Sequence, residues 1–439
     1  MSKSRLFNDT PYLPFAAHDT QQDTSLEIPD GDIRTLRELT HTYAEIAYLP
    51  EQKDRMNRWK AINDLKGGRP VLWANEVCWH EMNVEDELTM RCQSELGLRL
   101  ENMMRKTIYQ WRHFAGDMVV EPVIDAPYII QNTGFGIEAV ADIAETNSES
   151  TIASRHFHNQ IHCMEDLEKI KTAVIQVDHK RTKEFLECYQ MIFDGILPVR
   201  TKGCSGFWYA PWDDIVLWMG AQDVLTMLYD DPDLMHALIE RLTNAYDAAL
   251  NQFAELGLLA SNNCNVRIGS GGYGYTGELS EDKGLFTPTE QMWGSATPQI
   301  FGSVSPAMHR EFGVNYEMKW LKRFGLNYYG CCEPLHNRTN ILEDIPNLRK
   351  ISVSPWADVS VAAEHMRGKY AVSLKPSSAY LAYDSFPESL VREELETKFK
   401  ALQGCCTEVI IKDISTVRNE PERLWRWMEI AMETAAKYE

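Results

Sequence analysis

Residues 348–374 read LRKISVSPWADVSVAAEHMRGKYAVSL. Leu348 to Val353 is short and rich in β-branched residues. Val359 to Met366 has helical spacing. Tyr370 to Leu374 is short and apolar again. Strand, helix and strand with short connections imply parallel pairing. The alternation extends in both directions. Upstream, Asp230-Asp231-Pro232 starts a helix with a carboxylate cap and a first-turn proline, and Gly257 closes it. Leu258 to Ser261 follows as a strand, Ser305 to Phe324 as a helix stopped by Gly325, Leu326 to Tyr329 as a strand, and Asn340 to Asp344 as a short helix. Downstream come a helix from Glu388 to Leu402, a strand at Val409-Ile410-Ile411 and a last helix from Glu420 to Lys437. With Val71-Leu72-Trp73-Ala74, about eight strand candidates predict an α/β fold of the closed (β/α)8 TIM-barrel type.

The N-terminal part reads differently. Residues 1 to about 30 look irregular, with Pro11, Pro14 and Pro29. Helices follow from Asp32 to about Ala47 and from Glu51 to about Lys66, ending at Gly67-Gly68. This divides the chain into an arm and helical cap over 1–68 and a barrel over 69–439. Asp86 to Phe114, Glu165 to Ile175, Arg181 to Ile196 and Ile215 to Tyr229 also read as helices.

The 439 residues carry 44 Lys plus Arg against 64 Asp plus Glu, a net charge of −20. So acidic a chain, without a local basic patch, is not expected to bind nucleic acid or anionic membranes. The 44% hydrophobic and 25% charged content is that of a folded globular protein. No apolar run approaches the ~20 residues of a membrane helix, and the polar N-terminus has no signal-peptide core; a cytoplasmic location is expected. Ten cysteines are too few for a disulfide scaffold of this length. Their pairing as Cys331-Cys332 and Cys405-Cys406 suggests thiolate or metal chemistry.

A barrel places its chemistry just after each strand. The segment from Tyr328 to His336 follows one, and it gathers two thiols, a carboxylate and an imidazole, all zinc-ligand types. Cys331, Cys332 and His336 are metal candidates there. Cys405, far away in sequence, would join them from a second rim loop. Simple packing of small cysteines near the barrel ends is the competing explanation. Tyr329, Glu333 and His158 are the catalytic candidates. His156 and His158 fall on one face of an extended segment and would meet substrate or metal, or serve as hydrogen-bonded loop histidines, with His162 nearby. Trp208, Tyr209, Trp212 and Trp218 form an aromatic wall or a piece of core. Asn262, Asn263, Asn265 and Arg267 follow the Leu258 strand, and Glu76, His80 and Glu81 follow the first. From these, His156, Trp208, Trp212, Asn262, Arg267 and Glu76 are the substrate-binding candidates. Gly269 to Gly277 is a glycine-rich loop, but no Lys-Ser/Thr follows it as in a phosphate loop.

Three stretches carry a resemblance: 220–257 with its Asp230-Asp231-Pro232 helix start, 301–316 with Ser305-Pro306 and an aromatic-rich helix, and Glu165-Asp166-Leu167-Glu168-Lys169. They resemble the uroporphyrinogen decarboxylase superfamily, whose fold is a (β/α)8 barrel. One branch makes haem precursors. Another moves methyl groups to or from a corrinoid protein, with zinc held by a His-x-Cys motif and a distant Cys. The resemblance puts Cys331 and Cys405 at those two Cys positions. Tyr329 stands where the histidine would be, so Cys332, Glu333 or His336 would supply the missing ligand. The decarboxylase branch fits less well, because Val71 to Met82 lacks its Arg- and Gly-rich motif.

The resemblance therefore implies a corrinoid-dependent methyltransferase. It would move a methyl group between a small substrate, such as a methoxylated compound undergoing O-demethylation, or a thiol, and a corrinoid protein. Zinc would serve as Lewis acid. The corrinoid would come from a partner, since no Asp-x-His-x-x-Gly stretch occurs here. The alternatives are a metal-free decarboxylase acting on a different acid and a tetrapyrrole- or corrinoid-binding protein. A homodimer is compatible with the sequence.

Overall fold

Six short strands run parallel in one continuous sheet: Trp293–Ala296, Leu326–Tyr329, Leu348–Val353, Ala371–Leu374, Thr407–Ile411 and Val71–Ala74. They belong to a computed structural model that describes residues 18–19, 24–144, 154–284 and 286–438. The first strand in sequence pairs with the last, Leu72 opposite Val409. The other side of the ring is looser. Ile124–Pro127 pairs in parallel with Val199–Lys202, and Cys204 bridges Leu259, also in parallel. The Asn262 side chain then ties both ways to the Trp293 backbone, at 2.9 Å each. Asp117 N, at 2.8 Å from Leu72 O, links back toward the first strand. The chain thus folds as a (β/α)8-type barrel with helices ahead of its first strand.

The helices Asp30–Ala47 and Glu51–Asn63 precede that strand. The first packs Leu36, Tyr43 and Ile46 against Leu96, Leu100, Met104, Phe185 and Tyr189. These come from Glu95–His113 and His179–Phe193. This apolar cluster is separate from the main one between the barrel strands and their covering helices.

Local boundaries differ from the sequence reading for identifiable reasons. The helix expected from Asp86 starts at Glu95, where Ser94 Oγ accepts from Gly97 N as an N-cap. The helix expected from Ile215 to Tyr229 is two helices, Pro211–Met219 and Ala221–Asp230. Gly220, at φ 83°, breaks them apart. Glu165 to Ile175 is not an α-helix; it is a 3-10 turn, Met164–Lys169, followed by the strand Ile175–Val177.

The barrel interior is polar at its centre, where apolar layers are usual. Lys350 Nζ lies 2.5 Å from Glu408 Oε2, and both side chains are fully buried. Ser373 Oγ donates to Glu408 Oε1 at 2.5 Å, and Gly272 N donates to the same oxygen at 2.9 Å. The glycine-rich loop therefore enters the barrel instead of cradling a phosphate. A Cβ on Gly271 would meet Glu408 Oε1 at 2.4 Å, and one on Gly274 would meet Asn262 O at 2.0 Å.

Candidate active site at the barrel mouth

Gly330 turns the chain at the end of the Leu326–Tyr329 strand. Its φ of 93° suits glycine, and a Cβ would lie 2.4 Å from Leu335 Cδ1. The turn carries Cys331 and Cys332 over the C-terminal end of the barrel, with their sulfurs 3.5 Å apart. Cys331 is buried and Cys332 exposed. Glu333 Oε2 accepts from Cys331 N at 2.9 Å, and Thr297 Oγ1 donates to Glu333 Oε1 at 3.0 Å. Ser352 Oγ donates to Cys331 O at 2.7 Å. The thiol loop is therefore held at both its amide and its carbonyl. Burial pushes the Glu333 carboxyl above its ordinary range. The hydrogen bond between the two sulfurs first, and the Lys412 ammonium second, hold the Cys332 thiol below its usual value against the effect of burial.

Two cations and two carboxylates face the thiols. Arg267 Nη1 is 2.7 Å from Glu76 Oε1, and Lys412 Nζ is 3.2 Å from Glu76 Oε2. Lys412 also reaches Asp413 at 2.5 Å. Burial alone would raise Glu76, but Arg267 and Lys412 outweigh it and hold the carboxyl at about 2. Glu76 sits just past the first strand at φ 51°, and Asp413, past the last, at φ 54°. Both rim turns thus use a backbone conformation uncommon for these residues.

A second lysine lies beneath. Lys375 Nζ donates to Tyr328 OH at 2.6 Å, to Ser373 Oγ at 2.6 Å and to Ser373 O at 3.1 Å. Tyr328 OH lies 2.9 Å from Ser270 Oγ, which is 3.2 Å from Gly330 O. Burial pulls the Lys375 ammonium down to about 7.

On another side of the rim, Trp208 Nε1 donates to Asp213 Oδ2 at 3.2 Å, and Gln299 Nε2 donates to the same oxygen at 2.7 Å. Burial, with some help from Glu333, pushes the Asp213 carboxyl up to about 6.

Several expected site residues lie elsewhere. Tyr329 points outward from its strand. Its hydroxyl donates to Glu317 Oε2 at 2.5 Å and lies 2.8 Å from His309 Nε2, behind the barrel wall. Strand alternation sends Tyr328 inward instead. Cys405 and Cys406 precede the Thr407–Ile411 strand, whereas Cys331 follows its own. In a parallel barrel these are opposite ends, so Cys405 does not join Cys331 in one metal site. His336 keeps a buried Nδ1 with no hydrogen-bond partner among the described residues. Among those residues, no three His, Cys, Asp or Glu side chains converge as a metal site. The donor set expected for zinc does not fit this mouth.

Trp212 is core: it is fully buried, and its Nε1 donates to Phe312 O at 3.0 Å. Asn262 stitches the barrel, as described above. His156 and His158 share a face as expected, with ring centroids 5.7 Å apart. They lie, however, on a peripheral hairpin, Ala141–Ala144 with Ser154–Phe157. Its continuation bonds to Trp218 O, near the far end of the Pro211–Met219 helix. His158 pairs there with Asp142 at 3.2 Å. Glu76, Arg267, Cys331, Cys332, Glu333 and Trp208 remain at the mouth. Lys375, Lys412, Asp413 and Asp213 were not among the candidates, although Lys375, Lys412 and Asp413 directly follow strands.

Residues 126–261 match the family model described as uroporphyrinogen decarboxylase (URO-D). Over this segment the chain is similar to that family. The matched segment contains two of the three stretches that carried the resemblance, 165–169 and 220–257. No curated protein matches the sequence. Among solved structures, the chain is similar to a methyltransferase from Methanosarcina mazei, at 12% identity and a TM-score of 0.47. The overlap covers 86% of this chain and 98% of that one. No helix among the described residues is long and apolar enough to cross a membrane.

Proposed function

We propose that this barrel is a methyltransferase that moves a methyl group between a small methoxylated substrate and a corrinoid carried by a partner protein. The observation that supports this reading best is the set of cations around the thiol loop: Arg267, Lys412 and Lys375, all nearly excluded from water. When a methyl group leaves an ether oxygen, the oxygen takes the electron pair and becomes an anion. Fixed cations in a water-poor site stabilise such developing charge. Here they occupy the electrophilic role that zinc would otherwise take. Glu76 holds Arg267 and Lys412 in place. Trp208, half-buried and anchored on Asp213, offers a flat wall to the substrate. The corrinoid supplies the methyl-accepting or methyl-donating cobalt when the partner docks.

The same cations favour a second reading, a metal-free decarboxylase of a small acid, in which they would bind the carboxylate. One experiment separates the two. The protein is incubated with reduced cobalamin and 4-methoxybenzoate, and methylcobalamin is followed by its absorbance while released carbon dioxide is measured. Methylcobalamin formation that falls at least tenfold in Lys412→Met supports methyl transfer. Carbon dioxide without methylcobalamin supports the decarboxylase. Neither product would remove the support for both.

A further inference from the structure

The helical run over 306–321 contains a π-helical turn, His309–Val314, before it continues as Asn315–Leu321. Such turns are rare and recur at functional sites. This one decides a side-chain arrangement. In an α-helix, residues five apart point about 140° away from each other. The wider turn instead brings Glu311 and Tyr316 to one histidine, His236 of the helix Pro232–Glu255. Tyr316 OH lies 2.8 Å from His236 Nδ1, and Glu311 Oε1 lies 3.1 Å from His236 Nε2. Phe312, in the same turn, stacks on the imidazole, with ring centroids 4.3 Å apart and planes at 19°.

Hydrogen accounting fixes the roles. A carboxylate only accepts, so in the neutral ring Nε2 carries the hydrogen and Nδ1 is the base. The phenol therefore donates to Nδ1. A nucleophile, a base within hydrogen-bond reach and a third group that orients the base form the arrangement that activates weak nucleophiles. Burial first, then Glu240 and Glu311, hold the Tyr316 phenol above its ordinary value. It thus keeps its proton until a base removes it. His236 is 33% exposed, so small molecules reach the ring from solvent. A groove of about 510 Å³ lies alongside, lined by Ala237, Glu240 and Asn244 and, from a second segment, by Ile170 and Lys171. Lys319, one turn beyond Tyr316, bonds to Asn244, which sets the phenol beside this groove.

We propose that Tyr316 is an acyl-accepting nucleophile, activated by His236 and Glu311, whose substrates are small activated esters. His236 Nδ1 takes the phenol proton as the Tyr316 oxygen attacks the carbonyl carbon. A C–O bond forms to the phenol oxygen. The bond to the leaving group breaks with its electron pair, and the leaving group takes the proton from His236. The product is an O-acyl tyrosine beside a neutral imidazole. The step uses no residue of the barrel mouth, no cobalt and no partner, so it goes beyond the methyl-transfer reading.

The full chain is treated with p-nitrophenyl acetate at pH 7. Release of p-nitrophenolate is followed by absorbance, and the acetyl group is located by peptide mass spectrometry. Tyr229 and Tyr48, both exposed, are the internal comparisons. Tyr316 is expected to be acetylated at least tenfold faster than either, as general-base assistance implies. His236→Phe keeps an aromatic ring on Phe312 but removes the base, and should bring Tyr316 down to the rate of Tyr229. Glu311→Ala, at an exposed position, frees the ring and should slow Tyr316 several-fold even if His236→Phe fails to fold. Glu311→Gln keeps an acceptor for Nε2 and should retain most of the rate. Acetylation of Tyr316 no faster than that of Tyr229 would overturn the proposal. A fast Tyr316 that neither His236→Phe nor Glu311→Ala slows would overturn it as well, because its rate would then owe nothing to the histidine.

Discussion

Tyr329 donates its hydroxyl hydrogen bond to Glu317 Oε2 at 2.5 Å, behind the wall that carries the thiol loop. Arg338 Nη1 lies 2.9 Å from His309 Nδ1. Because arginine only donates, that ring nitrogen is unprotonated and Nε2 carries the hydrogen toward Tyr329. Burial first, and Arg338 second, pull the His309 imidazole down to about 3, so it is neutral. Burial pushes Glu317 up to about 8. The folded protein therefore holds a proton on Glu317 that the unfolded chain, with an ordinary carboxyl near ~4.3, releases at neutral pH.

The sign of the pH effect follows from that difference. Stability from Glu317 is fully present below about pH 4 and is lost as pH rises toward about 8. Glu317→Gln keeps the shape and removes the titration. Thermal unfolding from pH 5 to 8 should show a flatter dependence in the variant than in the wild type. Parallel curves for the two proteins would contradict it.

The buried Lys350–Glu408 pair makes a second prediction. Lys350→Met leaves Glu408 charged and unpaired, and should cost about 3–5 kcal/mol in denaturant unfolding. Lys350→Met with Glu408→Leu should recover much of that loss, because the double change leaves neither charge behind. If the double variant is as unstable as the single one, desolvated charge is not the reason.

Gly330→Ala should be expensive for a different reason. It combines a left-handed backbone with a 2.4 Å approach to Leu335. A loss of about 1–3 kcal/mol is expected. Iodoacetamide labelling of Cys332 should change in the same variant, because the turn that aims the thiols is altered. Gly368→Ala, at φ 72° with open space around its Cβ, is the comparison that isolates backbone strain from the clash.

Zinc content provides a fourth prediction. Cys405 lies at the end of the barrel away from Cys331, so Cys405→Ala should leave metal per chain unchanged by elemental analysis. A stoichiometric loss of zinc in that variant would mean that the two cysteine pairs meet.

The fold was legible because its evidence is periodic. Strand and helix alternate from Pro232 to the last helix, and that pattern survives small errors at the boundaries. Gly220 shows the limit: a single left-handed residue split a helix that its apolar spacing made continuous. The site was legible only where sequence position and side-chain direction agreed. Cys331, Glu333, Glu76 and Arg267 follow strands and reach the mouth. Tyr329 also ends a strand, but one residue of alternation turns it outward while Tyr328 faces in. Cys405 was misplaced because it begins a strand, and the end of the barrel it occupies depends on that direction. Lys375 and Lys412 satisfied the strand-end rule and were passed over. The signal was a lysine directly after an apolar strand, as in Ser373-Leu374-Lys375 and Ile410-Ile411-Lys412.

The ring is sealed by strands from opposite ends of the sequence, Val71–Ala74 against Thr407–Ile411. A chain growing from the ribosome makes one of these edges early and must wait for almost everything else before its partner exists. Until then the first strand's open edge is available to neighbouring chains. So distant a contact also adds to the loop entropy that slows folding. Synthesis of this protein therefore includes a long interval in which its early strands need shielding, and truncation before Thr407 would leave that interval permanent.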